Sequence, residues 1–302
     1  MRVLISGGTG FIGRRLLAAL QAGGHAISVF TRGAQPPGLP AETRIFAGDP
    51  RDAQDWRAAL ENQEAVIHLA GEPVGPARWT AAKKRRIRDS RVLTTAALAL
   101  AASQLPAPPR VLLQASGVGY YGDAGERVLA ENAPQGDDFL ARVAAEWEAA
   151  GNALTRLGVR VVQLRAGLVM DPRGGALPRL LLPLRWGLGG RLGNGRQWVS
   201  WIDLEDLIRL AIFALESPQL RGPVNAVAPE PRRNAELISA LARGLRRPAI
   251  FPVPPWLLRA TLAEGASLLL FSQRALPAAA QAAGFKFHYP GLEQALPRWL
   301  GA

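Results

Sequence analysis

A serine and two adjacent tyrosines are the side chains in this sequence best suited to proton transfer. Ser116, Tyr120 and Tyr121 lie in the segment ASGVGYYG, which follows an apolar run at 111–113. A serine hydroxyl can hydrogen-bond a substrate carbonyl, and a phenol with a pKa of ~10 can donate a proton. We therefore predict that these three residues are catalytic, with Ser116 orienting an oxygen and one tyrosine donating the proton.

A tyrosine used in this way is typically followed, four residues later, by a lysine that lowers its pKa. The tyrosines of this chain are Tyr120, Tyr121 and Tyr289, and none of them has a lysine at that spacing. The segment is therefore open to two interpretations. Either it holds a weaker, unassisted proton donor, or it is a loop at a strand end in which a tyrosine packs over a bound cofactor.

The composition indicates a globular, cytoplasmic protein. Of the 302 residues, 48% are hydrophobic and none is cysteine, which permits a large core and favours a reducing compartment. No apolar run reaches the roughly 18–20 residues that span a bilayer. The chain opens on a strand rather than on a signal peptide. The three histidines show no metal-ligand spacing, so we predict no metal site.

Short apolar runs alternate with helical patterns over the first 168 residues. The patterns predict strands at 3–5, 27–30, 44–49, 65–71, 110–116 and 159–167, and helices at 11–22, 53–61, 80–103 and 138–157. This alternation is typical of an α/β fold with a Rossmann-type doubly wound parallel sheet. We expect residues 1–168 to form that domain, with a helix at 203–217 returning to it. The remaining stretches, 169–202 and 218–302, predict a smaller, mostly helical substrate domain.

A glycine-rich loop follows the first predicted strand. The segment GGTGFIG places Gly7, Gly10 and Gly13 between that strand and a helix. Glycines let the backbone turn tightly and approach a pyrophosphate, which then binds to free N–H groups at the helix start. The segment therefore predicts a dinucleotide site. Its other contact residues are predicted to be Thr9, Phe11 and Ile12.

The second predicted strand indicates which dinucleotide binds. It ends at Thr31 and Arg32, without the carboxylate that would bind the ribose 2′-hydroxyl of NAD. Because arginine suits a 2′-phosphate, NADP(H) is the predicted cofactor. Asp49, the last residue of the third predicted strand, is either a contact near the adenine or a strand-end cap. At the end of the fourth predicted strand, the predicted contacts are Leu69, Ala70 and Gly71.

Together these segments resemble the extended short-chain dehydrogenase/reductase superfamily, and the whole chain resembles an atypical epimerase-like branch with a small C-terminal domain of unknown role. The resemblance lies in GGTGFIGRRL, HLAGEPV followed by RWT, SGVGYYGD, GLGGRLGNGRQWVSWIDLEDL and GPVNAVAPEPRRN. It implies a Rossmann domain, NADPH binding and a cytoplasmic protein with no settled substrate. It also implies that Arg91 approaches the cofactor phosphates.

The sequence departs from the superfamily at two places. Where the superfamily has its tyrosine and lysine, the segment GDDFLARVAAEWE offers only Phe139 and Arg142. Where its nucleotide-sugar enzymes have an arginine that clamps phosphates, this chain has Val199. Because valine cannot bind a diphosphate, the resemblance does not extend to a nucleotide-sugar substrate.

Five further residues are predicted to contact the substrate. Glu72 directly follows HLAG, close to the expected nicotinamide, and Asn225 matches a superfamily position near the substrate. Arg196, Trp201 and Trp79 would line a pocket for an aromatic or amphipathic ligand. For each tryptophan alone, packing in the core is the alternative.

The predicted function is that of an NADP(H)-dependent oxidoreductase acting on a small carbonyl or hydroxyl compound. Two alternatives stay open: a non-catalytic NADP(H)-binding sensor or regulatory protein, and an epimerase of a sugar-like substrate. We expect a small-molecule substrate and no membrane partner. The net charge of +12 is the only sign of nucleic acid, and we do not expect it as a partner. The sequence leaves the oligomeric state undefined.

Overall fold

The structure is a computed structural model that describes residues 1–33, 38–40 and 42–301. In these residues the strands are β1 (Arg2–Ser6), β2 (Ala26–Thr31), β3 (Arg44–Ala47), β4 (Ala65–His68), β5 (Val111–Gly117), β6 (Val128–Leu129), β7 (Arg160–Ala166), β8 (Leu168–Asp171), β9 (Gly174–Gly175), β10 (Trp198–Val199), β11 (Trp201–Asp203), β12 (Gly222–Ala226), β13 (Arg232–Arg233) and β14 (Arg274–Ala275). The helices are α1 (Phe11–Ala22), α2 (Ala53–Leu60), α3 (Ala81–Ser103), α4 (Phe139–Asn152), α5 (Leu177–Arg185), α6 (Leu204–Glu216), α7 (Asn234–Gly244), α8 (Pro255–Leu262), α9 (Ser267–Leu270), α10 (Ala278–Ala282) and α11 (Leu292–Leu300).

Seven of the described strands form one parallel sheet in the order β12-β7-β5-β4-β1-β2-β3. The predicted doubly wound α/β class is confirmed. Because every strand runs the same way, all the carboxyl ends meet at one edge. The chain leaves β1 toward β2 on one side and returns to β4 on the other, so ligands are expected at the crevice between β1 and β4.

Helices cover both faces of this sheet because successive strand residues point to opposite sides. In β1, Val3 and Ile5 pack in one core with leucines of α1 and α6. Leu4, between them, packs in the opposite core with Trp56 of α2 and Leu98 of α3. The apolar runs of the sequence are therefore buried from both sides, as parallel sheets require.

Two strands are shorter than predicted. β3 ends at Ala47 and β4 at His68, so Asp49 and residues 69–71 lie in loops beyond the sheet. Each ends with its neighbour: His68 pairs with Ser6, the last residue of β1, and Ala47 with Thr31, the last residue of β2. One further backbone bond follows each pair, from the Leu69 nitrogen to the Ser6 carbonyl and from the Gly48 nitrogen to the Thr31 carbonyl.

The C-terminal part of the chain packs beside the carboxyl edge of the sheet. Helices α5, α7 and α11 share a third core that includes Leu181, Leu237 and Trp299. The stretch 218–302, which the sequence assigned to the smaller domain, also contains β12, and this strand forms the edge of the large sheet next to β7. The division of the chain into two domains stays a prediction. Among the described residues, no helix is long and apolar enough to cross a membrane.

His68, the last residue of β4, is fully buried under the carboxyl edge. Its Nδ1 atom lies 2.5 Å from the Ser6 hydroxyl, and Nε2 lies 3.4 Å from the Thr94 hydroxyl. Burial, assisted by the charge of Arg91, lowers the pKa of His68 from 6.5 to about 4. The neutral imidazole is therefore the folded form, and the residue packs in the core rather than serving as a catalyst.

We predict an acid-sensitive stability that depends on His68. In the unfolded chain this side chain binds a proton near pH 6.5, whereas the folded chain binds it only near pH 4. Acidification through this window therefore favours unfolding, by about 3 kcal/mol at its lower end. Urea unfolding between pH 7 and pH 4 measures the loss, and H68Q serves as the comparison because it keeps a polar side chain there. If H68Q loses as much stability as the parent protein, His68 is not the cause.

Candidate functional site

The glycine loop between β1 and α1 contacts the loop that follows β4. Gly7 has a φ of +76°, and a Cβ placed on it would lie 2.9 Å from the Ala70 nitrogen. A Cβ on Gly13 would overlap the Gly7 carbonyl oxygen, which itself accepts a hydrogen bond from the Gly10 nitrogen at 3.0 Å. Two loops thus meet at the crevice with only backbone between them. That close approach is what binding of a pyrophosphate needs.

Helix α1 begins at this loop with its first amides free of side-chain caps. Gly10 occupies the N-cap position, and no side chain in the described residues caps it. Its neighbour Thr9 offers a carbonyl oxygen to Arg14 Nε at 2.9 Å. Ile12 is half-buried, and the ring of Phe11 packs against the β9 glycines. The free amides and the positive end of the helix favour an anion here.

Arg32 and Asp49 lie close together at the carboxyl ends of β2 and β3. Arg32 is exposed just beyond Thr31, the last residue of β2. Asp49 accepts hydrogen bonds from Arg51, which lower its pKa to about 2, and the charge of Arg32 contributes. Asp49 is therefore an ionised, arginine-bound carboxylate. The chain at 34–37, next to Arg32, lies outside the described residues.

Arg91 of α3 connects the crevice to a cavity. Its Nη1 donates to the carbonyls of Ile87 and Glu72, each at 3.0 Å, and its guanidinium lies 5.1 Å from the Trp147 ring centroid. A Cβ on Gly71 would lie 3.0 Å from the guanidinium carbon, so this arginine faces the loop after β4. Burial lowers the pKa of Arg91 to about 10. It is a cation at neutral pH, held by backbone oxygens.

The cavity lies beyond the carboxyl ends of β5 and β7 and has a volume of about 390 Å³. Ser116 and Gly117 of β5 form its floor, and α3 and α4 form one wall. The opposite wall comes from the C-terminal part of the chain, above all the segment 267–271. Most of the lining side chains are aliphatic or aromatic, so the cavity suits an apolar ligand.

Helix α4 turns an entirely apolar face to the cavity. Leu140, Val143, Ala144 and Trp147 line it, with the three-and-four spacing of one helix face. Phe139 and Arg142, the residues found in place of the superfamily's tyrosine and lysine, are not part of this lining. Phe139 packs on Trp79 with ring centroids 5.7 Å apart, and Arg142 donates to the carbonyl of Asp137. This wall therefore supplies neither a phenol nor an ammonium group.

Ser116 is bonded to a buried ion pair beneath the cavity floor. Its hydroxyl donates to Glu148 Oε1 at 2.6 Å. Arg165 of β7 donates to the same carboxylate from Nε at 2.8 Å and from Nη2 at 2.7 Å. Burial alone would lower the pKa of Arg165, but its bonds to Glu148 raise it above its ordinary value. The two side chains form a buried ion pair, and Ser116 is the partner of this pair that reaches the cavity.

The two tyrosines lie on the far side of Arg165. The ring of Tyr120 lies 3.5 Å from the Arg165 guanidinium carbon. The hydroxyl of Tyr121 accepts from Arg165 Nη1 at 3.0 Å and donates to Asn225 Oδ1 at 2.7 Å. Burial raises the pKa of Tyr121. Neither ring is part of the cavity lining, so the structure does not bring the predicted proton donors into the cavity.

Asn225 likewise serves the fold. It is fully buried, and its side-chain nitrogen donates to the carbonyls of Leu129 and Leu276 at 3.1 and 2.9 Å. All these partners are protein groups, and the predicted substrate residue lies outside the cavity lining.

The other four predicted substrate residues also lie outside the cavity lining. Trp201 is fully buried against Trp299 and donates to the carbonyl of Glu230, so the core alternative holds for it. Trp79 is buried behind the cavity wall and donates to the carbonyl of Val74 at 3.2 Å. Glu72 forms an ion pair with Lys83 at 2.7 Å. Arg196 is exposed and lies outside the cavity lining.

Glu148 and Arg165 were not among the residues predicted from sequence. A signal was present: β7 reads RVVQLRA, with a charged residue in a strand that is buried on both sides. Such a residue needs a partner of opposite charge. The partner could not be chosen from sequence, because Glu148 follows a tryptophan on a helix where Glu146 is equally placed.

The parallel sheet, the glycine loop and the cavity beside it define a Rossmann-type protein with a crevice suited to a dinucleotide. Comparison with known proteins gives the same class. The model of the NAD dependent epimerase/dehydratase family matches residues 3–227, and that of a domain of unknown function, DUF1731, matches 253–298. The chain belongs to the NAD dependent epimerase/dehydratase family.

Similar proteins occur in plants and animals. The chain is 39% identical over 300 residues to the Arabidopsis thaliana epimerase family protein SDR39U1 homolog, chloroplastic, covering 98% of this chain and 86% of that protein. It is 34% identical to human epimerase family protein SDR39U1, whose crystal structure with NADPH superposes with a TM-score of 0.88 over 100% of this chain and 99% of that one. The structure of the Thermus thermophilus UDP-glucose 4-epimerase in complex with NAD is 21% identical in sequence. It superposes with a TM-score of 0.79 over 100% of this chain and 98% of that one, and at this identity the likeness shows the fold alone.

We predict that removing one member of the buried ion pair destabilises the protein strongly. Arg165→Met leaves the Glu148 carboxylate buried without its partner, which costs about 3–5 kcal/mol of unfolding free energy. The double variant R165M/E148L removes both charges and should recover most of that loss. Urea unfolding at neutral pH measures all three proteins. A double variant as unstable as the single one would show that the loss comes from packing and not from the unpaired charge.

Proposed function

We propose that this protein is an NADP(H)-dependent oxidoreductase that acts on the carbonyl or hydroxyl group of a small apolar molecule. The observation that carries the proposal is the apolar cavity at the carboxyl edge of the sheet. Arg91 lines it and faces Gly71 in the loop after β4, and Ser116 lies in its floor above a buried carboxylate. A dinucleotide in the crevice and a substrate in the cavity would then be neighbours.

The residues at the crevice fit NADP(H). The bare glycine backbone and the free amides of α1 would hold the pyrophosphate, with Arg91 as a nearby cation. Arg32, exposed beyond β2, would bind the 2′-phosphate. The crystal structure of the human relative with NADPH supports the same choice. Asp49 is held by Arg51, so its carboxylate would serve the loop rather than the adenine.

When bound, the reduced dinucleotide would supply a hydride to a carbonyl carbon, and the oxidised form would accept one from an alcohol. The residues of the protein would transfer the proton. In the oxidation of an alcohol, the hydroxyl proton would pass to Ser116 Oγ while the Ser116 proton passes to Glu148 Oε1, 2.6 Å away. Reduction would run through the same atoms in reverse. This replaces the sequence-based assignment of the proton to a tyrosine, because the Tyr121 hydroxyl is bonded to Asn225.

The cavity walls support an apolar substrate rather than a sugar nucleotide. Val199 lines the cavity, at the position where nucleotide-sugar enzymes are expected to carry a phosphate-clamping arginine. Leu180, Leu192 and Phe271 extend the same apolar surface. A diphosphate placed there would lose its hydration without gaining charged partners. An epimerase acting on a sugar nucleotide is therefore not our proposal.

One observation favours a second candidate, a non-catalytic NADP(H)-binding regulatory protein. The face of α4 that lines the cavity holds neither a tyrosine nor a lysine, so the usual tyrosine–lysine chemistry has no counterpart there. On this alternative the protein binds NADPH and an apolar ligand but transfers no hydride. A cytoplasmic location belongs to either proposal and is suggested by the absence of cysteine; the Arabidopsis relative is named as chloroplastic.

We predict that Arg32→Ala weakens NADPH binding and leaves NADH binding unchanged. Loss of one charge-assisted contact to the 2′-phosphate should raise the NADPH dissociation constant about tenfold or more. A fluorescence titration with each nucleotide measures this, and Arg57→Ala, an exposed arginine on α2, is the matched control. Equal weakening for both nucleotides would rule out a 2′-phosphate contact.

We predict that Ser116→Ala strongly slows hydride transfer while NADPH still binds. Removing the proton path should lower kcat by about 10²-fold or more. Tyr121→Phe, which removes a hydroxyl beneath the floor, should change kcat by less than about tenfold. NADPH consumption with a panel of apolar aldehydes and ketones measures both. Full activity of the serine variant would contradict the proposed path, and NADPH binding without turnover on any panel member would favour the regulatory alternative.

A further inference from the structure

Exposed apolar side chains lie on chain segments that also contribute residues to the cavity wall. Large apolar side chains normally lie inside a protein, yet Trp186 is 77% exposed, Leu188 65%, and Ile250 and Trp256 each 68%. Leu182 and Phe251 are also exposed. We call these six residues the apolar rim. Contiguous exposed apolar side chains of this kind mark an interaction site.

The apolar rim comes from two chain segments that are joined side by side. Leu192 and Val253 form a parallel bridge, and the Val253 nitrogen donates to the Arg191 carbonyl at 2.9 Å. The Phe251 nitrogen donates to the Gly189 carbonyl at 3.3 Å. Residues 186–193 therefore run alongside residues 248–253. Their exposed side chains form one surface rather than two separate ones.

This surface leads into the cavity. Leu180 and Leu192 line the cavity, and they belong to the same segments as Leu182 and Leu188 of the rim. Leu268 both lines the cavity and is exposed, so it lies at the opening. The segment with Leu268 lies against the rim segment 186–193, because a Cβ on Gly193 would lie 2.7 Å from Leu270.

The chain segments that carry the rim contain charges of one sign. The stretches 172–202 and 237–263 contain no aspartate or glutamate, whereas they contain nine arginines. The exposed arginines nearest to the rim in sequence are Arg185, Arg191, Arg246, Arg247 and Arg259. A surface with exposed tryptophans and a purely cationic border complements an apolar layer covered by anionic head groups. An acidic protein surface would match the arginines but not the exposed tryptophan and isoleucine side chains between them.

We propose that the apolar rim docks this protein onto the surface of an anionic lipid bilayer, from which an amphipathic substrate enters the cavity. Trp186 and Trp256 lie in the head-group layer, and the arginines contact lipid phosphates. This requires no spanning helix, and it revises the expectation from sequence that a membrane is not a partner. Docking is independent of the proposed hydride transfer, since the surface is complete without cofactor.

Sedimentation with lipid vesicles tests the proposal. The full chain should bind vesicles that contain phosphatidylcholine and phosphatidylserine in equal amounts. It should bind vesicles made of phosphatidylcholine alone much more weakly. The variants W186A/W256A and R246Q/R247Q should each weaken binding about tenfold or more. The matched control R57Q/R156Q removes two exposed arginines of α2 and of the 3-10 segment at 153–157, and should leave binding within about twofold of the parent.

NADPH titration of each variant shows that it is folded and separates docking from the cofactor site. No binding to either vesicle overturns the proposal. So does an equal loss in the R57Q/R156Q control, because binding would then depend on net charge and not on this surface. Size-exclusion chromatography supplies the last outcome: a dimer that W186A/W256A converts to a monomer, without vesicle binding, would mean that the rim pairs with a second copy of this chain.

Discussion

The buried ion pair between Arg165 and Glu148 organises the carboxyl edge of this protein. It joins β7 to α4 with two charge-assisted hydrogen bonds and gives Ser116 of β5 a carboxylate partner. On its other side Arg165 bonds to Tyr121, which reaches Asn225 of β12. Two charges this deeply buried need mutual pairing and full hydrogen bonding to be tolerated. The position of the cavity floor therefore depends on electrostatics, while the cavity walls above it are shaped by apolar packing.

The parts of the fold that follow from short-range sequence patterns could be predicted from the sequence. Apolar strands, the helices between them and a glycine loop after β1 have short-range signals, and the doubly wound class follows from their alternation. The site depended on contacts that sequence spacing does not encode. Tyr121 and Asn225 are 104 residues apart and meet only because β12 joins β7. Ser116 and Gly117 could be predicted as site residues because they lie at the end of a strand. The wall at 267–271 could not be predicted, because the sequence of that segment does not indicate that it packs beside the sheet.

The same edge explains why the familiar chemistry of the superfamily has no counterpart here. The helix face that would carry a tyrosine and a lysine instead presents Leu140 and Ala144 to the cavity. Ser116, with a carboxylate behind it, is then the hydroxyl placed to exchange a proton with a ligand. The segment matched by the domain of unknown function contributes Leu268 and Phe271 to the opposite wall. That domain thus completes an apolar chamber, and it also carries the exposed Trp256 and Arg259.

For hydride transfer, the crevice and the cavity must form one site across the loops after β1, β4 and β5. Hydrogen–deuterium exchange of the full protein, with and without NADPH, tests this most directly. We expect NADPH to slow exchange together in residues 7–13, 69–72 and 114–119, with smaller changes in helices α2 and α7. Slower exchange confined to residues 7–13, with 114–119 unchanged, would contradict a shared site, because the nicotinamide would then lie away from Ser116 and the cavity would serve another purpose.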